Sequence, residues 1–298
     1  MILFDAWNLM LMQKVLIICG PTATGKSKLA ISLAKTFNGE LVSADSRQVY
    51  EGLDGLTGKD RSEEVPIWLY DVVAVHQEFS VAHFITLARR TIADIGTRGK
   101  LPIVVGGTGF YLRSLTTSID TIAVPPNREL RKTLSVASVE TLGQRLRRVD
   151  REKWNILNES DQKNPRRLIR AIEVAMSATY IAKRKPNYDV LWIGLTSPLP
   201  VLKQRIAKRV AERFDQALSE VGGDLPPVLG ADSLLSFRRG EGTKEETLAK
   251  WVQREYQYAK RQLTWFRKEN GMNWFDVSDN DYEDRVTSRV GQWYTTYR

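Results

Sequence analysis

Cysteine is all but missing from the 298 residues: Cys19 stands alone, which excludes an intrachain disulfide and any zinc site built on thiolates. Histidine is nearly as scarce. His76 and His83 have no carboxylate at ligand spacing and read as structural or surface side chains, not as a metal pair. Repeats and low-complexity linkers are absent, and beyond the N-terminus no apolar run is long enough to cross a membrane. Met1 to Met12 is apolar but lacks the basic region and small-residue cleavage site of a leader, and Asp5 interrupts it. It reads as an extension before the first strand, with Met10 or Met12 as alternative starts. A lone thiol fits a reducing compartment, the cytoplasm. Positive charge is what the chain has in excess. The formal net charge is +9, and residues 128 to 185 hold fifteen Lys and Arg against seven Asp and Glu. Such an excess suits a polyanionic partner, and the length suits about two domains.

The β-branched run Val15 to Cys19 leads into Gly20-Pro21-Thr22-Ala23-Thr24-Gly25-Lys26-Ser27, which fits G-x-x-x-x-G-K-[ST], the phosphate-binding loop. Gly20 and Gly25 let the backbone curl, so that amides along Thr22, Ala23 and Thr24 point at phosphate oxygens. Lys26 adds a positive charge, and the Ser27 hydroxyl can hold Mg²⁺ bridging two phosphates. Leu29, Ala30, Leu33 and Ala34 then recur at helical spacing, predicting a helix whose N-terminus faces the same anion. The chain is expected to bind a di- or triphosphate.

Glu40 to Ala44 reads as a second strand ending at Asp45, where ligands sit in α/β sheets; the alternative role for Asp45 is a helix N-cap. Glu51 to Pro66 reads as a surface loop, and Ile67 to Val75 as an extended core segment. Ser80 caps a predicted helix whose apolar face runs Val81, Phe84, Ile85, Ala88, Ile92 and Ile95, stopped by Gly96 and Gly99. Leu101 to Val105 is a buried strand running into Gly106-Gly107-Thr108-Gly109. No Asp follows that strand, unlike an ordinary P-loop ATPase. Composition shifts after Val124-Pro125-Pro126, and Arg128 to about Lys185 reads as a helical insertion. Within it Arg145, Arg147, Arg148, Arg151 and Lys153 read as a solvated face, and Pro165 starts a helix with Arg166 and Arg170 on one side and Ile169, Ile172 and Ala175 or Met176 buried. Asp189 to Leu195 returns to strand. Leu202, Ile206, Val210, Phe214 and Leu218 form an apolar helical stripe with Arg205 and Arg209 beside it. Thr243 and Glu246 box the start of a long helix whose core face is predicted as Leu248, Val252, Tyr256, Ala259, Leu263 and Phe266, opposite a basic stripe of Lys250, Arg254, Arg261 and Lys268. Trp274 to Val277 ends the predicted strands. The expected fold is α/β, a P-loop NTPase-like core with a parallel sheet flanked by helices, spanning 14–122 and 190–298. A mainly helical insertion at 123–189 interrupts it.

Five segments together resemble one family, the tRNA dimethylallyltransferases, also called isopentenyl-tRNA transferases. They are GPTATGKS at 20–27, SADSRQVYEGLDGLTGK at 43–59, LPIVVGGTGFYL at 101–112, NPRRLIRAIEV at 164–174 and YAKRQLTWFRK at 258–268. The resemblance implies transfer of a dimethylallyl group from dimethylallyl diphosphate to the exocyclic amine of the adenosine at position 37, beside a tRNA anticodon. It also implies a channel shared by the extruded adenine and the diphosphate. By resemblance Asp45 is the catalytic base, Lys26 and Mg²⁺ stabilise the departing diphosphate, and Thr108 orients the leaving group or the adenine. Ser46, Arg47, Gln48, Arg131 and the run Arg166-Arg167-Leu168-Ile169-Arg170 match the family's contacts to the tRNA anticodon stem-loop. A monomer is the default. The family's Asn-Asp-Pro is here Lys163-Asn164-Pro165, its Gly-Tyr-Lys/Arg-Glu is Gly230-Ala231-Asp232-Ser233, and arginines before the final motif are Tyr256 and Gln257. Rival readings are an adenylate isopentenyltransferase acting on free AMP, ADP or ATP, a small-molecule P-loop kinase, and an RNA-binding protein without catalysis.

Overall fold

The apolar run before the phosphate loop lies where its composition sends it, in the middle of a sheet. In the computed structural model, which describes residues 12–118, 120–177, 187–223 and 225–295, Val15 through Cys19 have no solvent exposure. The expected N-terminal extension and the last part of the predicted insertion lie outside the described residues. Helix packing covers both faces of a parallel sheet, so its strands can be continuously apolar.

The chain divides into two compact units, one of residues 1–117 and 185–298 and one of 118–184. The first begins with β1 (Gln13–Cys19), α1 (Lys26–Thr36), β2 (Gly39–Ser43), α2 (Asp54–Thr57), β3 (Ile67–Trp68), α3 (Val81–Thr97), β4 (Leu101–Gly106) and α4 (Gly109–Thr116). The described part of the second unit is helical throughout: a 3₁₀ turn (Asp120–Ala123), then α5 (Arg128–Ser135), α6 (Val139–Val149), α7 (Arg151–Ile156), α8 (Glu159–Gln162) and α9 (Pro165–Ala175). The first unit resumes with β5 (Tyr188–Thr196), α10 (Leu199–Glu220), α11 (Ala231–Arg238), α12 (Lys244–Phe266), β6 (Met272–Asp276) and α13 (Tyr282–Thr295). Six strands form one wholly parallel sheet in the order β3-β2-β4-β1-β5-β6. The fold is α/β and P-loop NTPase-like. No described helix is long and apolar enough to cross a membrane.

One core of the first unit joins the sheet to α1 and α13 through Leu16, Ile18, Leu29, Leu33, Leu191 and Val286. A second gathers α2, α10, α11 and α12 around Trp251, Phe214, Leu53 and Leu56. The second unit has a core of its own, with Leu134, Leu142, Leu146, Leu168 and Ile172 at its centre.

Several local expectations are corrected. Ile67 to Val75 contributes only the two-residue edge strand β3, with Trp68 exposed, because the backbone turns at Leu69 and Asp71, both at positive φ. The supposed surface loop 51–66 holds α2, which buries Leu53 and Leu56. It also buries the Lys59 side chain, whose Nζ donates to Asp54 at 2.8 Å and Asp71 at 2.5 Å. Gly96 does not stop α3; the helix runs through it to Arg98, and Gly99 makes the left-handed turn. His83 completes the capping box with Ser80, a structural role. The buried side of α9 is Leu168, Ala171, Ile172 and Glu173, with Met176 exposed.

Candidate active site

A cavity of about 520 Å³ opens at the carboxyl ends of β1, β2 and β4, the place where a doubly wound sheet leaves room for a ligand. The phosphate loop makes one wall. Gly20 sits at φ +141°, where an added Cβ would run into the carbonyl of Leu195 on β5, so only glycine lets the loop leave the strand here. Thr22, Ala23, Gly25, Lys26 and Ser27 line the cavity. Gly20 and Thr24 do not: Gly20 packs against the Leu195 backbone, and the buried Thr24 hydroxyl turns back to donate to Pro21 O at 2.9 Å. Their expected part in phosphate binding is thus to shape the loop. The Lys26 Nζ also donates to Pro21 O, at 2.5 Å, which folds the ammonium over the loop. Burial, with the like charge of Arg209 next, pushes Lys26 down to about 8, while Asp45 pulls the other way. Beneath it the buried Cys19 thiol is pushed far up by the same desolvation, so it is no nucleophile.

The second wall follows β2. Asp45 lines the cavity, and its Oδ1 accepts the Arg47 N–H at 2.9 Å, a turn that holds the carboxylate at the strand end. The Ser46 N–H donates to Thr108 Oγ1 at 3.0 Å, and the Thr108 N–H to Ala44 O at 3.2 Å, so the turns after β2 and β4 are tied together. Gln48 accepts from Ser43 Oγ and donates to Gly58 O at 3.0 Å. Arg47 lies 4.1 Å above the Tyr258 ring, the face of an aromatic being where a cation is attracted.

The remaining walls come from helices that motif and periodicity alone do not assign to the site. Arg205, Lys208, Arg209 and Arg213 of α10 all line the cavity, and Arg209 reaches Gly58 O at 2.8 Å and Thr22 Oγ1 at 3.4 Å. The four-residue spacing of Arg205, Arg209 and Arg213 puts them on one helix face, a signal present in the sequence. Burial, then Arg209's like charge, pushes Arg213 down to about 10, against the opposing pull of Glu255, Asp60 and Glu220. From α12 come Glu255, Tyr258 and Gln262. Gln262 is buried; its Oε1 accepts the Thr22 N–H at 2.9 Å and its Nε2 donates to Gly107 O at 2.9 Å, bracing the phosphate loop against the turn after β4. The core face of α12 is wider than predicted: Ala259, Leu263 and Phe266 are buried and Leu248, Val252 and Tyr256 pack half-buried, but Trp251, Glu255 and Gln262 are buried as well.

Among the described residues no group of three or more His, Cys, Asp or Glu could hold a metal. A divalent cation would therefore rest on the Ser27 hydroxyl in the first turn of α1, with phosphate oxygens and water completing its shell. Mg²⁺ tolerates such a donor set.

A sequence model described as IPP transferase matches residues 48–269, and one described as isopentenyl transferase matches 13–69. The chain is 38% identical to the tRNA dimethylallyltransferase of Anoxybacillus flavithermus, over 93% of this chain and 95% of the relative. It belongs to the tRNA dimethylallyltransferase family. The enzyme of the same description from Limosilactobacillus reuteri is 39% identical, over 95% of this chain and 99% of the relative. Among solved structures, the tRNA isopentenylpyrophosphate transferase of Bacillus halodurans aligns with a TM-score of 0.69 at 32% identity, covering 94% of this chain and 96% of that one. A eukaryotic dimethylallyltransferase acting on tRNA aligns with a TM-score of 0.81 at 26% identity, covering 96% and 80%.

Within the second unit, the residues that resemblance to this family marks for tRNA are in unequal positions. Leu168 is fully buried in the core and Ile169 packs half-buried against it, so the expectation of side-chain contact is corrected for Leu168: helical periodicity turns it inward. Arg131 grips the buried Glu173 with two hydrogen bonds, of 2.9 and 2.8 Å. Arg170 pairs with the same carboxylate and donates to Thr121 O at 2.5 Å and Val124 O at 2.8 Å. Arg167 pairs with Asp161, and Arg166 is exposed.

Proposed function

We propose that the chain transfers the dimethylallyl group of dimethylallyl diphosphate to N6 of adenosine 37 in tRNA, releasing diphosphate. The observation that carries this is the meeting, in one cavity, of a phosphate loop, a row of arginines and a strand-end carboxylate, Asp45. The loop and the α10 arginines hold the diphosphate as a leaving group. Lys26 and Arg209 face the oxygen on which charge grows as the allylic C–O bond breaks. Ser27 would hold Mg²⁺, which would supply further charge neutralisation. An adenine amine is weakly nucleophilic, so N6 must lose a proton as the N–C bond forms; Asp45 accepts it. The hydrogen bond from Ser46 N–H to Thr108 ties the Asp45 turn to the turn after β4. No phosphoryl group moves, which accounts for a phosphate loop without the acidic residue of an ATPase strand.

The test supplies labelled dimethylallyl diphosphate and Mg²⁺ with either unmodified tRNA or AMP, using the wild type and Asp45→Asn. Label in tRNA, reduced by on the order of 10²-fold or more in the variant with donor binding retained, is the expected result. Label in AMP alone would move the protein to the mononucleotide reading. Transfer of phosphate from ATP to a small acceptor would make it a kinase.

A further inference from the structure

The arginines of the second unit fall into two classes. Arg131, Arg167 and Arg170 are all held by carboxylates, Glu173 or Asp161. Arg147, Arg148 and Arg151, at the junction of α6 and α7, have no carboxylate partner among the described residues. They frame a surface recess with Gln144, Asn155 and Trp154. The neighbouring acids are spent elsewhere or stand outside: Asp150 caps α7 by accepting the Lys153 N–H at 2.8 Å, and Glu140 and Glu152 do not line the recess.

The recess is built, not merely charged. Gly143 lies inside α6, where glycine is normally a liability, and an added Cβ there would come within 3.0 Å of the Trp154 ring. The glycine thus seats the indole against α6, and Arg147 stacks over that indole at 4.3 Å. Leu142 and Leu146, on the opposite side of α6, are anchored in the unit's core. A guanidinium held over an aromatic ring rather than by a carboxylate keeps N–H donors for a planar or tetrahedral oxyanion. With Arg148 and Arg151, likewise without a carboxylate partner among the described residues, and two carboxamides beside them, the recess presents three guanidinium groups to an anionic backbone.

We propose that this α6–α7 recess is a further place at which the second unit grips the phosphate backbone of tRNA. The proposal rests on the tRNA reading of the active site. Trp154 is a positioning residue that aims Arg147.

Binding of unmodified tRNA is measured between 50 and about 200 mM salt, with prenyl-transfer kinetics alongside. Proteins are the wild type, a variant with Arg147→Gln, Arg148→Gln and Arg151→Gln, a matched one with Arg128→Gln, Lys132→Gln and Lys163→Gln, and Trp154→Phe beside Trp154→Ala. The recess variant is expected to weaken tRNA binding about tenfold or more. Its salt slope should fall by roughly one for each phosphate that is no longer neutralised. kcat at saturating tRNA and donor affinity should stay at the wild-type level. Trp154→Phe should hold and Trp154→Ala should shift in the direction of the recess variant. Unchanged affinity and slope in a folded recess variant would overturn the proposal, as would an equal loss in the matched variant, which would reduce the effect to net charge. A wild type that transfers no label to tRNA would instead overturn the reading beneath it.

Discussion

Lys26 carries two opposite consequences of one burial. Because its folded value, about 8, lies below the ordinary 10.5, the ammonium costs stability below pH 8, and that cost is relieved as pH climbs toward 10.5. The same loss of charge removes the partner of the diphosphate. Two measurements are therefore expected to run in opposite directions. kcat/KM for the donor, which reports the free enzyme, should fall about tenfold per pH unit above 8, while the ligand-free protein gains resistance to urea over the same range. Lys26→Met should unfold at higher urea than the wild type at pH 7 and fail to bind donor. A profile flat to pH 10 would contradict this. The places of Lys26, Ser27 and Asp45 in the cavity are legible in the sequence because they depend on short-range pattern: a loop between strand and helix, and an acid at a strand end. That the Leu168 side chain faces the core is not legible in the motif, which carries residue identities without saying which side of the helix each one faces.

At the scale of elements, α12 works as a brace. Its face of Glu255, Tyr258 and Gln262 touches the loops after β1, β2 and β4, while Lys250 and Arg261 are exposed. Replacing Gln262 with Leu keeps its volume but leaves the Thr22 N–H and Gly107 carbonyl without partners, a loss of about 1–3 kcal/mol for each buried group left unmet. The expected result is donor affinity lowered about tenfold with tRNA affinity unchanged, read by titration of each ligand. Gln262→Glu should do worse, because it keeps the acceptor for Thr22 but sets a negative charge beside the diphosphate. Neither this brace nor the α10 arginine row could be read from hydrophobic periodicity. The partners of Gln262 lie 240 and 155 residues earlier, and a polar residue that buries because distant backbone satisfies it looks, in sequence, like a solvent position. The strands of the core and most helix starts are legible, since apolar runs and caps act within a few residues.

For the molecule as a whole, two units with separate cores imply separable functions. In the second unit Glu173, only 2% exposed in its side chain, collects Arg131, Arg170 and the Asn127 N–H. Burial pushes its carboxyl up, but those hydrogen bonds outweigh it and the net shift is down. Its contribution is therefore present above the ordinary carboxylate range and lost as pH falls through its lowered value. Glu173→Ala should cost on the order of 2–3 kcal/mol, seen as an earlier loss of helical circular dichroism on urea titration, with donor binding intact before that transition. Donor binding that disappears in parallel with helicity would deny the units their independence. The strand order has a consequence in time. The seat of Gly20 is the Leu195 carbonyl, and β1 takes β5 as a direct neighbour, so the whole second unit is synthesised between the phosphate loop and its floor. On the ribosome, the helical unit can assemble from near neighbours in sequence while the oldest motif in the nascent chain waits, half-built, for a strand not yet translated.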